Sequence, residues 1–525
     1  MKFKKLISVF LSITLVLISF GGCTDSIEEY TLYIETDAQP ATLDPQLVSG
    51  AAEEIIVRNL FEGLMRLDAD GNIVNGVAEN YSISANGLSY TFNLRENAVW
   101  SNGERVVADD FVFAFERALS PKTKSPGAEQ LYCIKNAREY NKGKNVNLGV
   151  KALTDSTLNI VLCEKNPDFL NILTTMAAMP CQRKAFNLYK GKYGMNDEDF
   201  ISNGSFKLKS WVKDGEYSLK LVKNNQYKGD FAADASAVIF SAGEKENRFE
   251  KIAEGKLDMG FVNYSENNQA VKISEFSKTL YALAINPQSE FGKEKFKKAL
   301  LSSVDINSIT RVLEPNLEYT SKLLPSVISK DNQSLNKICD VTSSVSFNPE
   351  NARESFLSGV AEYGEPESLT ILYTGDDSIK KVALAVAEGF QKHLGIVANI
   401  KALETEEKLL SLINSGEYQL AVMPVSATSN SPTRYFNRFV KENETESYGF
   451  SSSEYNETFS GMADYKSLSE IVAVSNQLLE IIEQSMLLTP LFNLKEAFGY
   501  GNIYSCPKIS PFDGAIDLAL VKKIG

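Results

Sequence analysis

Histidine, the residue best suited to proton transfer near neutral pH, occurs once in this sequence, at His393. A Ser-His-Asp triad would have to use it, yet the sequence contains no Gly-x-Ser-x-Gly elbow to supply the nucleophile. His393 precedes Leu394 and Gly395 at the end of an amphipathic segment, where a helix dipole favours a cationic side chain. The sequence therefore predicts a helix-end residue here and no catalytic site.

Carboxylates form acidic clusters such as those at 197–199 and 404–407. Neither has the alternating ligands and central glycine of an EF-hand loop, so we expect solvated surfaces and no metal site. The paired carboxylates of a glycosidase are brought together by the fold and not by sequence spacing. That class of enzyme therefore stays open, with nothing in the sequence that favours it.

The overall charge and the missing motifs exclude several kinds of partner. The formal net charge of -13 argues against binding to nucleic acid. The sequence has neither a Gly-x-x-x-x-Gly-Lys-Ser/Thr loop nor a dinucleotide-binding fingerprint. We therefore expect no cofactor and no ATP hydrolysis by this chain, so partner proteins must supply any energy for its work.

Cysteines are few and widely spaced, without a Cys-x-x-Cys pair: Cys23, Cys133, Cys163, Cys181, Cys339 and Cys506. This spacing suggests neither a disulfide framework nor a zinc site. Two interpretations remain for the cysteines after Cys23. They are either buried free thiols, or one disulfide forms among Cys133, Cys163 and Cys181.

The N-terminus has the pattern of a secretory signal peptide, predicted over residues 1–22. A short basic region, 1–5, precedes an uncharged run over 6–20, and Gly21-Gly22-Cys23 resembles a bacterial lipobox. The resemblance implies cleavage before Cys23, a lipid on that cysteine and a tether over residues 23–30. The protein would then be anchored in the cell membrane, facing the extracellular or periplasmic side. Ordinary secretion with an unmodified Cys23 is the alternative.

Alternating and helical patterns mark the first half of the chain. The Asn86-Gly87 turn precedes a period-two strand over 88–94, and similar strands are predicted over 157–162 and 218–222. Asp109 is the expected cap of a helix that ends before Pro121.

A regular α/β order marks the region from residue 369. We expect a strand over 369–373, a helix capped by Ser378 that continues through Leu394 and stops at Gly395, and a strand over 396–403. A helix over 406–414 and a strand over 418–422 then follow. The uncharged segment 423–432 would leave the carboxyl end of that strand, where open α/β sheets place their ligands, although a plain surface loop fits equally well.

Several sequence blocks together carry a family resemblance. The blocks are Thr42-Leu43-Asp44-Pro45, Asn59-Leu60-Phe61-Glu62-Gly63-Leu64, Gly76-Val77-Ala78-Glu79, Tyr90-Thr91-Phe92-Asn93-Leu94-Arg95, Trp100-Ser101-Asn102-Gly103, Ala108-Asp109-Asp110-Phe111-Val112 and Asn203-Gly204-Ser205-Phe206-Lys207-Leu208. In their order and spacing they resemble the peptide- and nickel-binding family of ABC-transporter solute-binding proteins, family 5, and in particular its oligopeptide-binding lipoproteins. The resemblance is clear over about 30–225 and weaker beyond.

The resemblance implies an α/β, two-lobed fold like that of periplasmic binding proteins, type II and cluster C, with an extra domain inserted in the N-terminal lobe. The chain length also favours two or three domains. The implied division, in chain order, is 31–60 lobe I, 61–198 inserted domain II, 199–278 lobe I, 279–495 lobe II (domain III) and 496–525 the return strand of lobe I.

The same resemblance assigns candidate ligand-binding residues. In oligopeptide binders an acid in the loop after the strand at 418–422 pairs with the peptide's α-ammonium, and this acid aligns with Thr428. The family's arginine and tryptophan align with Val422 and Val425, and a further acid aligns with Ser49. Without the acid, a buried ammonium loses a hydrogen bond worth about 1.5–3 kcal/mol.

An uncharged loop of this kind would suit a blocked, hydrophobic or sugar-like ligand, unless the alignment is shifted. The full set of expected ligand-binding residues is Val48, Ser49, Asn263, Tyr264, Val425, Ser426, Ala427 and Thr428. A purely structural role is the competing interpretation for each of them.

The function implied is capture of a small ligand, an oligopeptide in the leading interpretation, for an ABC importer. The partners implied are the permease and ATPase subunits, with a monomeric binding protein held at the membrane through Cys23. The alternatives are a surface sensor or pheromone-type receptor on the same fold, and a binder of a non-peptide solute. A secreted hydrolase is disfavoured by the lone His393.

Overall fold

The computed structural model describes residues 29–68, 72–189, 191–197, 200–263, 268–331, 333–344, 346–440, 448, 450–462, 465, 467–510, 512 and 516–524. The predicted signal peptide, Cys23 and Tyr264 lie outside these residues, and only residues 29 and 30 of the predicted tether lie within them. In the part of the chain that is described, no helix combines the length and the apolar character needed to cross a bilayer.

The strands are β1 (Thr31–Thr36), β2 (Met65–Leu67), β3 (Ile73–Asn75), β4 (Ala78–Ile83), β5 (Ser89–Leu94), β6 (Val150–Thr154), β7 (Thr157–Val161), β8 (Phe206–Val212), β9 (Ser218–Lys223), β10 (Ala237–Ala242), β11 (Met259–Val262), β12 (Val271–Ile285), β13 (Leu317–Tyr319), β14 (Ser329–Lys330), β15 (Gln333–Ser334), β16 (Leu369–Tyr373), β17 (Ala398–Ala402), β18 (Leu420–Ser426) and β19 (Leu488–Gly501).

The α-helices are α1 (Ala51–Leu60), α2 (Ala108–Leu119), α3 (Ala137–Asn141), α4 (Phe169–Ile172), α5 (Arg183–Leu188), α6 (Arg248–Ala253), α7 (Glu294–Ser302), α8 (Ile306–Val312), α9 (Leu335–Ile338), α10 (Pro349–Tyr363), α11 (Asp377–Leu394), α12 (Glu406–Ser415), α13 (Pro432–Asn437), α14 (Ser453–Ser460) and α15 (Leu468–Ser485).

One mixed sheet runs through both halves of the molecule, in the order β17-β16-β18-β12-β19-β11-β1-β10-β9-β8, with β13 paired to β19. The two long strands β12 and β19 join the halves. Residues 271–276 of β12 pair with the end of β19 beside β11, whereas residues 279–285 pair with β18. The register shifts between Phe276 and Thr279, so the pairing is interrupted where one half gives way to the other.

The hydrophobic cores follow the same division. One core combines residues between 32 and 259 with residues 498–521, and it includes Leu32, Phe111 and Val521. The second half has a core on each face of its sheet, because successive side chains of a strand point to opposite faces. Leu280 of β12 lies in one of these cores and Tyr281 in the other. The two-lobed α/β fold expected from the sequence is confirmed.

A separate four-stranded sheet, β4-β5-β7-β6, lies in the first half beside α2. The predicted strands over 88–94, 157–162 and 218–222 are confirmed as β5, β7 and β9 within one residue of each end. The predicted cap of α2 was wrong, since the helix begins at Ala108 with Val107 as its N-cap, and the side chain of Asp110, not Asp109, accepts from the backbone N–H of Val107. An acid at the third helical position reaches back in this way in a capping box.

The second half corrects three predicted boundaries. Asp376 caps α11 by accepting from the N–H groups of Ser378 and Ile379, so Ser378 lies inside the helix and is not its cap. The strand predicted over 396–403 is shorter and occupies 398–402. The strand predicted over 418–422 begins at Leu420 and continues to Ser426, because residues 420–426 pair in register with β12. The parallel β16-α11-β17 unit and the stops at Gly395 and Gly416 are confirmed.

All five described cysteines are free thiols. Cys181 and Cys339 are buried as expected, but Cys163 and Cys506 are exposed and Cys133 is half-buried. The expectation of buried thiols was therefore right for two of the five positions.

Candidate functional site

A cavity of about 330 Å³ lies where the two lobes meet. This volume falls at the lower end of the range typical of small-molecule sites, roughly 300–1,000 Å³. Among the described residues, six groups contribute to its wall, within the segments 58–68, 168–179 and 204–205 of the first half, 327–329 and 428–434 of the second half, and 508–520 near the end of the chain. Both lobes and the C-terminal return therefore share one site.

Of the predicted ligand-binding residues in the second lobe, Thr428 lines this cavity. Val425 and Ala427 are buried in the hydrophobic core of that lobe. Ser426 is half-buried, and its hydroxyl lies 2.8 Å from that of Thr279 on the neighbouring strand. This arrangement follows from the length of β18, which carries the chain past residues 423–426 before the loop begins.

The other predicted residues lie elsewhere in the first half. Val48 is buried in the core of the first lobe, Ser49 is exposed, and Asn263 is half-buried just after β11. None of the three is among the described residues that line the cavity. Tyr264 lies outside the described residues.

The most densely connected part of the wall is an ion-pair network around Glu62. One Glu62 oxygen accepts from Arg66 at 3.0 Å and from the hydroxyl of Tyr227 at 2.6 Å, and the other accepts from Arg95 at 2.6 Å. Arg66 also pairs with Asp517 near the chain terminus. Arg66 thus ties the inserted segment that follows α1 to the C-terminal return.

Arg66 stays charged in this setting. Burial alone lowers the pKa of Arg66, but Asp517 and Glu62 together outweigh burial, so its pKa lies above the ordinary value. Its guanidinium also lies 3.7 Å from the centre of the Phe231 ring. Charge, hydrogen bonds and stacking therefore hold Arg66 in one position on the cavity wall.

Close backbone contact at Gly204 fixes a second part of the wall. The Gly204 N–H donates to the Leu60 carbonyl at 2.8 Å, and a Cβ at this glycine would lie 2.7 Å from the same carbonyl group. Only a residue without a side chain fits here. The family-like segment 203–208 thus packs directly on the segment 59–64, and Gly204 and Ser205 both line the cavity.

The two lobes touch beside the cavity through polar groups. The side-chain amide of Asn171 donates to Asn430 at 3.2 Å, and the carboxylate of Asp168 interacts with the hydroxyl of Ser431. Burial raises the pKa of Asp168, while Ser431, Arg434 and Lys330 act in the opposite direction. These contacts bring the start of α4 against the loop after β18.

Sequence reasoning missed most of these wall residues. Arg66, Asp168, Asn171 and Asp517 belong to segments whose local pattern does not distinguish them from ordinary surface residues. A partial signal was present for Glu62, which lies inside one of the family-like blocks.

The chemistry of the wall favours binding. Among the described residues that line the cavity there is neither a histidine nor a cysteine. His393 packs its ring against Phe347, with 5.1 Å between ring centres, and does not line the cavity. Charged groups of both signs, amides and hydroxyls surround a partly apolar space, as in sites that orient a polar ligand.

Comparison with curated proteins agrees with this geometry. The oligopeptide-binding protein OppA of Bacillus subtilis is 28% identical over 466 residues, which cover 83% of this chain and 84% of that protein. The periplasmic oligopeptide-binding protein OppA of Salmonella typhimurium is 27% identical over 485 residues, 86% of each chain. These and other relatives are named for binding oligopeptides or dipeptides.

Solved structures show the same fold at low identity. The unliganded open form of MppA, a murein tripeptide binding protein, superposes with a TM-score of 0.76 at 23% identity, covering 94% of this chain and 97% of that one. The Haemophilus influenzae OppA complex with the peptide RPPGFSPFR gives 0.71 at 23% identity, covering 95% and 99%.

The family assignment rests on a longer match. The sequence profile described as "Bacterial extracellular solute-binding proteins, family 5 Middle" matches residues 72–447, which is well over half of the chain. The chain therefore belongs to the family 5 bacterial extracellular solute-binding proteins.

Proposed function

We propose that this protein captures short peptides in the cavity between its lobes and delivers them to an ABC importer, without chemical change to the peptide. One observation carries the proposal, namely a cavity of about 330 Å³ walled by both lobes in a chain whose curated relatives are named for binding peptides. Polar groups on both sides of the cavity are suited to the amides and charged ends of a peptide.

Closure of the lobes over the ligand is part of the proposal. The predicted boundaries at 278/279 and 495/496 coincide with the register shift where Phe276 pairs with Glu496 and Thr279 with Leu494. This supports lobe I as 31–60, 199–278 and 496–525, domain II as 61–198, and lobe II as 279–495. Two crossing strands with interrupted pairing form a suitable hinge.

Peptide capture is tested by thermal unfolding of the chain from Thr24 onward. The protein is first unfolded and refolded to remove carried-over ligand, and alanine peptides of two, three and five residues are then added. We expect the melting temperature to rise, since a ligand at 100 times its Kd stabilises the folded state by about 2.7 kcal/mol. Free alanine is the matched control. A response only to sugars or metals, or to no added solute, would contradict peptide capture.

Anchoring at the membrane is a further part of the proposal, with the permease and ATPase subunits as partners of a monomeric, lipid-modified protein. The lipobox-like Gly21-Gly22-Cys23 supports it. In the source cell we expect a clickable fatty acid to label the full-length protein and Cys23→Ala to abolish the label. Equal labelling of both forms would show that Cys23 is not the lipid site.

A further inference from the structure

Among the described residues four carboxylates line the cavity, and three of them have identified donors that hold them in place. Glu62 and Asp517 both pair with the guanidinium of Arg66. Asp68 accepts from the backbone and side-chain N–H groups of Asn72, at 2.9 and 3.1 Å. The fourth, Asp168, has a different kind of partner.

Asp168 stands at the N-cap of α4, the position where an aspartate normally accepts from the backbone of the first turn. Here its side chain makes no capping hydrogen bond. Its carboxylate instead interacts with the neutral hydroxyl of Ser431, across the boundary between the lobes. The acid is therefore directed toward the cavity wall of the opposite lobe and away from its own helix.

The surroundings of Asp168 favour an additional cation. Burial makes its charged form costly, and Arg434 and Lys330 only partly compensate, so its pKa remains raised. A positive group bound beside it would restore the stability of the carboxylate and form a charge-assisted hydrogen bond.

The groups across the cavity can accept the hydrogen bonds of an ammonium ion that a single carboxylate leaves unused. An ammonium has three N–H donors, of which a carboxylate takes one or two. Thr428, Asn430 and Ser431 lie on the facing loop, and the amide oxygen of Asn430 already accepts from Asn171 at 3.2 Å. Hydroxyl and amide oxygens of this loop thus line the same cavity as the carboxylate and are able to accept the other donors.

We propose that Asp168 receives the α-ammonium group of the bound peptide and so selects ligands with a free amino terminus. This assignment rests on the proposed function of peptide capture. It makes Asp168 a specificity-determining residue contributed by the lobe opposite to Thr428.

The test compares Asp168→Asn with Asp214→Asn, a matched loss of one negative charge on the exposed turn between β8 and β9. Affinities for trialanine and for N-acetyl-trialanine are measured by calorimetry on the full mature chain. For the wild type and Asp214→Asn we expect trialanine to bind about tenfold to a hundredfold more tightly than its acetylated form. In Asp168→Asn this ratio should fall to near one through the loss of trialanine affinity.

The ratio separates ligand recognition from a merely structural role, because a structural defect would weaken both peptides alike. Equal weakening of both, or an unchanged ratio in Asp168→Asn, would overturn the assignment while leaving peptide capture intact. A wild type that binds trialanine and N-acetyl-trialanine equally would also overturn the assignment and leave peptide capture intact. A wild type that binds neither would overturn the proposed function and this assignment together.

Discussion

Replacing Glu62 by glutamine should lower the free energy of unfolding by about 3–5 kcal/mol, the cost typical of breaking a buried ion pair from one side. The Glu62 side chain is 4% exposed and is the shared acceptor for Arg66, Arg95 and Tyr227. Its neutral replacement leaves two guanidinium groups, each 13% exposed, without their common counter-charge. Urea-induced unfolding followed by circular dichroism measures the loss.

Asp230→Asn is the matched control for this prediction. Asp230 lies 3.9 Å from the same Arg95, but its side chain is 84% exposed. Because exposed pairs are worth about 0–1 kcal/mol, the control should change stability by less than about 1 kcal/mol. Similar losses for the two variants would show that burial does not determine how much the Glu62 network contributes to the free energy of unfolding.

Replacing Arg117 by glutamine should also cost about 3–5 kcal/mol. Arg117 on α2 donates to both oxygens of Asp44, at 3.2 and 2.5 Å, and to the side-chain oxygen of Gln46 at 2.5 Å. Asp44 is 1% exposed, so the variant leaves a buried carboxylate without its cationic partner. The same denaturation experiment measures the effect.

The matched control is Arg183→Gln, since Arg183 pairs with acids on the same helix but at its surface. Arg183 lies 3.2 Å from Asp109 and 3.4 Å from Glu116, with 43% of its side chain exposed. Its loss should cost no more than about 1 kcal/mol. The double change of Asp44→Asn with Arg117→Gln should cost less than the sum of the single changes, since neither buried charge is then left without its partner. Strict additivity would contradict a direct ion pair.

The Asp44–Arg117 pair gives one family-like block a structural explanation. Asp44 belongs to Thr42-Leu43-Asp44-Pro45, one of the blocks that carry the family resemblance. The block gave no indication that its acid would pair with an arginine 73 positions away. Local sequence marked the residue, whereas only packing of α2 against that segment identified its partner.

Residues 423–428 show why the candidate site was harder to predict than the fold. The element was recognised, but its end was placed four residues too early, so Val425 was assigned to a ligand loop. In the structure Val425 pairs with Leu280 of β12 and points into the core. Pro424 in the segment favours a loop in local terms, yet the pairing with β12 overrides that local preference.

By itself the sequence determined the type of most elements, the α/β class and the family, because these depend on side-chain periodicity and on turn residues such as Gly395 and Gly416. Only the tertiary structure decided which polar side chains meet around the cavity. Arg66, Asp168, Thr428 and Asp517 come from four distant segments and share one wall. Their contacts are long-range consequences of how the lobes pack, and no local pattern in a single sequence encodes them.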